Sequence, residues 1–168
     1  MVEKKESIII GKIIEKVFST NKNINRIAHD EFFEETGIEI TNPTNTQYFI
    51  GWLIYHFVFP GGKNFIPYVK ETIVLDEEEK DMIQRLENGI LGTFEVLEWG
   101  NIVKVKDLLT QKEYAVSVID MKNPNCKIIT AQLVKSLDNN YFFFGGIGGY
   151  PKTKEEEIQK YVEEFNNG

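Results

Sequence analysis

GTFEVLEWGNIVKVKDLLTQKEYAVSV, residues 92–118, is where the chain changes its period. Phe94 and Val96 alternate with Thr93 and Glu95, Val103 and Val105 with Lys104 and Lys106, and Tyr114 and Val116 with Glu113 and Ala115. A period of two puts one set of side chains on each face of a strand. The stretch therefore predicts strands over Thr93–Trp99, Ile102–Asp107 and Glu113–Val118, broken at Gly100-Asn101 and Thr110-Gln111-Lys112. The pattern continues through Lys127–Val134 and Tyr141–Phe144, with turn signals at Asn123-Pro124-Asn125 and Asp138-Asn139-Asn140. Five short strands so spaced predict an antiparallel meander closed into a small SH3-like or OB-like β-barrel over residues 92–150.

Upstream, residues 1–91 read as helices. Ile9, Ile10, Ile13, Ile14, Val17 and Phe18 make an amphipathic stripe within Ser7–Phe18. A second helix is expected from Asn25 to Thr36, with Gly37 as a left-handed cap, followed by a connector over 38–45. Thr46–Phe59 is apolar on two helical faces, which predicts a central helix whose end, HFVF before Pro60-Gly61-Gly62, could turn into a short strand. A short helix follows at Phe65–Glu71, then a clear one opened by an Asp76/Glu79 capping box and closed by Gly89. Beyond the strands, a glycine-rich exit leads to a helix over Thr153–Phe165 with a second capping box at Thr153/Glu156. Its stripe of Ile158, Tyr161, Val162 and Phe165 is expected to dock on the rest of the chain. The fold class is α+β: N-terminal helices packed on the barrel, and a C-terminal helix over 151–168 in the same compact unit.

Charge narrows the function. The net charge is −7, with 10 basic and 15 acidic residues in 1–91, six of each in 92–150, and three against five from 151 onward. No segment has the basic excess that usually drives nucleic-acid affinity. Twelve Phe, seven Tyr and two Trp supply a core without staples, and the one cysteine, Cys126, makes no internal disulfide. That usage, with no signal-peptide pattern and no apolar run long enough for a membrane span, points to a cytoplasmic, non-membrane protein.

Three stretches carry a family resemblance: FIGWLIYHF from Phe49, LGTFEVLEWGNIVKVKDLLTQKEYAV from Leu91, and CKIITAQLVKSLDNNYFFFGG from Cys126. Together they resemble an uncharacterised domain found beside the SEC-C zinc motif in bacterial and archaeal proteins. Cys126-Lys127 stand where that family usually has Gly-Asp, and the chain has no CxC…C[HC] cluster, so the zinc module itself is missing. The resemblance implies an accessory or interaction domain and transfers no catalytic residue.

Four motifs bear on chemistry. Gly145–Thr153, GGIGGYPKT, lies between a strand and a helix as a phosphate loop would, but Pro151 removes an N–H donor and Glu155–Glu157 would repel an anion. His29, Asp30 and Glu34 are candidate metal ligands, although such a run is also what a solvated helix face looks like. His56 could serve as a general base or be a buried histidine with one partner. In Tyr141–Phe144, where Tyr141 and Phe143 alternate with Phe142 and Phe144, at least one pair is expected in the core. Tyr141, Phe143 and Tyr150 are the candidate interaction surface.

These readings assign no catalytic residue, no cofactor and no firm metal site. The leading expectation is a non-catalytic protein-interaction or scaffold module whose partner is another protein. The alternatives are a nucleic-acid-binding β-barrel, disfavoured by charge, and a metal-dependent hydrolase.

Overall fold

The computed structural model describes residues 4–118 and 121–167. It is an α+β protein that divides into two compact units, 1–88 and 89–168.

The first unit contains α1 (Lys5–Thr20), α2 (Lys22–Thr36), α3 (Pro43–Tyr55), α4 (Phe65–Thr72) and α5 (Glu77–Glu87). Gly37 ends α2 in the left-handed conformation, φ 69°, and its N–H donates to the Phe33 carbonyl. The connector expected over 38–45 is shorter than the sequence implies. Pro43 opens α3 instead, because a first-turn residue needs no N–H, and Asn42 Oδ1 caps it by accepting from the Asn45 N–H at 2.9 Å. The apolar helix is central in fact: Phe49, Trp52, Leu53 and Ile54 are buried, while Tyr48 stays outside. A chain of rings continues from it, Trp52 to Phe57 at 5.5 Å, Phe57 to Phe59 at 4.9 Å, and Phe59 stacked on Tyr68 at 4.1 Å. The extended alternative for HFVF survives as one bridge, Val58 to Asn64.

At α5, Asp76 accepts from the Glu79 N–H at 2.8 Å. Only half of the expected capping box forms. The Glu79 carboxylate, 3% exposed, is drawn instead to the Lys16 ammonium of α1, which reaches both of its oxygens at 2.7 Å. A buried carboxylate must find a full charge or several donors, so this pair fixes how α1 lies on α5.

The second unit holds β1 (Ile90–Glu98), β2 (Ile102–Asp107), β3 (Glu113–Ser117), β4 (Ile128–Lys135), β5 (Tyr141–Gly149) and α6 (Glu155–Asn167). The sheet is mixed, not purely antiparallel. Its pairings run β1-β2-β3-β5-β4 and return to β1, with β3 and β5 parallel through Val116 and Tyr141. A meander would have put β4 beside β3; here β4 pairs along its length with both β1 and β5. The inward face is filled by Phe94, Val103, Val105, Val116, Ile129, Ala131, Leu133 and Phe143. Three turns carry a non-glycine residue at positive φ: Gln111, Asn125 and Asn139.

Two expectations at the C-terminal end need correction. β5 does not stop at Phe144 but continues to Gly149, absorbing Gly145 and Gly146 (φ 76° and 97°) in an irregularity opposite Ala131 and Gln132. The second capping box is absent as well. Thr153 lies in a 3-10 turn, Lys152–Lys154, that has no side-chain cap, and the Lys154 N–H donates to the Pro151 carbonyl at 2.9 Å.

Glycine is required at 149: a Cβ there would meet Cys126 Sγ at 2.5 Å and its Cβ at 3.1 Å. Gly149→Ala is therefore expected to cost about 1–3 kcal/mol by overpacking, and less when Cys126→Ala is already present. Urea unfolding of the two single variants and the double reads this out; strict additivity would contradict the contact.

The Glu79 N–H, helped by the Lys16 charge, holds the Asp76 carboxyl below its ordinary value of 3.8. A depressed carboxylate contributes its stability in full above the unfolded value and loses it as pH falls through the folded one. Asn keeps the cap but does not titrate in this range. The wild-type lead over Asp76→Asn should hold at neutral pH and shrink as pH drops below 3.8; a lead that does not change with pH would count against the cap as drawn.

Candidate functional site

His29 sits half-buried on α2 with Nδ1 at 2.7 Å from the Asn25 carbonyl and its ring 4.3 Å from Phe49. The donating nitrogen and the ring face are thus both engaged within the fold. Asp30 and Glu34 are exposed farther along the same helix, so the trio does not converge. Among the described residues no group of three or more His, Cys, Asp or Glu side chains is placed to hold a metal ion. His56 differs from both of its readings. It is exposed at the C-cap of α3, where its N–H donates to the Trp52 carbonyl at 2.8 Å. Both readings required burial, and this exposed position supplies none.

The glycine run has a different role from a phosphate loop. Gly148 and Gly149 pair with Thr130 and Ile129, which places this backbone in the sheet ladder. Half-buried Cys126 packs against this end of β5, with Sγ 3.4 Å from the Pro124 carbonyl.

The tyrosine surface is only partly a surface. Phe143 is 8% exposed and belongs to the inward cluster, so it is corrected from interface to core. Phe142 and Phe144 on the other side of the strand are as well covered, which leaves neither pair free. Tyr150 is half-buried and its hydroxyl accepts from Thr130 Oγ1 at 3.0 Å. Tyr141 closes one end of the sheet, edge-on to Tyr114 at 5.2 Å, with Lys135 Nζ 5.5 Å from its ring. Beside them Asp107, which sequence reasoning missed, is buried and accepts from the Leu109 and Thr110 N–H groups at 2.8 and 3.0 Å. Burial, then the neighbouring Tyr141 and Asp107, pushes the Tyr114 phenol above its ordinary value. The aspartate organises the β2–β3 turn and the rings seal the core, an arrangement that holds structure and positions no nucleophile against a base.

α6 is open to another molecule. None of its residues is buried; Tyr161 is 64% and Phe165 67% exposed. The polar side of the helix, Glu155, Glu156, Gln159, Lys160 and Glu163, lines a shallow cleft with Lys127 just before β4. The helix thus turns polar residues toward this part of the sheet and leaves two large rings in water. The expectation that the stripe docks on the rest of the chain is met only in part: Ile158 and Val162 are half-buried, whereas Tyr161 and Phe165 stay in water. Sequence reasoning found the stripe but did not separate its covered half from its exposed half, because periodicity identifies an apolar face without saying what covers it.

No protein-family model, curated protein or solved structure matches this chain. Among the described residues no helix is long and apolar enough to cross a membrane.

The two sets of rings should respond oppositely to truncation. Phe143→Ala is expected to cost about 3–5 kcal/mol, as for a core phenylalanine. Tyr161→Ser with Phe165→Ser should stay within about 0.5 kcal/mol of wild type, as for exposed positions. Thermal unfolding monitored by circular dichroism decides; a large loss from the α6 pair would mean that the helix is packed after all.

Proposed function

We propose that this protein is a non-catalytic interaction module that binds another protein through the outward face of α6. The observation that carries the reading is the pair of exposed rings, Tyr161 and Phe165, on a helix with no buried residue. Large apolar side chains left together in water mark a contact surface, because covering them releases hydration free energy. The resemblance to the accessory domain found beside the SEC-C zinc motif supports the same reading, as does the dispersal of His29, Asp30, Glu34 and His56. The single cysteine fits a reducing, cytoplasmic setting.

The closed sheet is assigned to the OB-like rather than the SH3-like type. Parallel β3 and β5, with β4 returned to β1, match a five-stranded Greek-key barrel better than a meander. Nucleic-acid binding does not follow from that assignment. On the outer face Lys106 stands opposite Glu95 and Glu113, and Lys104 pairs with Glu98 at 3.3 Å, so the lysines of β2 form no basic track for a phosphate backbone.

A photoreactive benzoylphenylalanine in place of Tyr161 or Phe165, in the full chain within its host cells, should yield discrete protein adducts. The same group in place of Lys104 should not. Absence of adducts from both α6 positions, or steady turnover of a small molecule by the purified protein, would overturn the reading.

A further inference from the structure

Resting on that reading of α6, we infer that its partner presents an apolar strip bordered by lysine or arginine, and is not a second copy of this chain. A helix turns about 100° per residue, so Ile158, Tyr161, Val162 and Phe165 share one stripe. The same geometry puts Glu157 and Glu164 beside the exposed Tyr161 and Phe165, while half-buried Glu155 lines the cleft with Lys127. Lys160 falls on the reverse side, in the cleft that also contains Lys127. Lys154 reaches Glu157 at 3.2 Å, but both side chains are more than half exposed and such a pair contributes little. The exposed part of the stripe, Tyr161 and Phe165, is therefore apolar with an acidic border formed by Glu157 and Glu164.

That pattern selects a partner. An amphipathic helix seats its rings in an apolar strip and matches its borders by charge. Two copies of α6 face to face would bring their glutamate borders together, with Lys160 too far round to intervene. The net charge of −7 on each chain adds to that repulsion. An acidic border opposes an anionic membrane surface for the same reason.

The test uses the full chain and two labelled 14-residue probe peptides, one of leucine and lysine at amphipathic-helix spacing and one of leucine and glutamate at the same positions. Fluorescence anisotropy should show the leucine–lysine peptide binding at least tenfold more tightly. Tyr161→Ser with Phe165→Ser, which keeps every charge, should weaken that binding at least tenfold. Glu157→Gln with Glu164→Gln should weaken it and flatten its salt dependence. Equal affinity for the two peptides, or a dimer in sedimentation that the serine pair abolishes, overturns the basic partner while leaving α6 as an interaction face. Leucine–lysine binding untouched by the serine pair means diffuse attraction to an acidic protein, and overturns the interaction face as well.

Discussion

The double pairing of β4 is the constraint on which the second unit depends. Residues 128–133 bond to β1 on one edge while residues 129–135 bond to β5 on the other. Once β4 has two neighbours, β5 has only one open edge, and β3 meets it in parallel at Val116 and Tyr141. Ring closure follows, and with it a shared interior for the inward side chains of all five strands. Phe94, Leu133 and Phe143 fill that interior. An interior packed with apolar side chains is a core and not a binding cavity.

In the first unit a similar role falls to one ion pair and a run of rings. Glu79 is buried, and its carboxylate makes the Lys16 contact obligatory; the same lysine also reaches the Val74 carbonyl at 3.1 Å. This occupies one of the charges, beside Lys12 and Glu15, that line the open cleft between α1 and the segment before α5. The ring sequence from Phe32 and Phe49 through Trp52 to Phe59 explains the heavy aromatic load, since stacked and edge-on rings bury large areas in a short chain. His29 is one member of that packing, and its chemistry is absorbed by it.

Much of the fold was legible because its signals are local. The start and end of β2, the left-handed Gly37, the Asp76 cap and the three turn positions all depend on residues within a few places of each other. The candidate site was legible only in part. Tyr161 and Phe165 stand out as a stripe, yet the same stripe on a docked helix would read identically. Phe143 was placed on a surface because alternation separates two faces without naming the inner one. Asp107 was passed over as a strand end; its Asx-type bonds to residues two and three places on are the signal that could have found it.

The amino-acid order by itself determined an α+β chain, helices first and strands after, because 3.6- and two-residue periods are properties of short windows. It also determined the glutamates of α6 and the balanced charge of the strand region. Strand order, the parallel β3–β5 contact and the outward placement of Tyr161 and Phe165 were decided only by tertiary structure. Each is a choice among partners far apart in the chain, settled by which burial and which hydrogen bonds can be satisfied together.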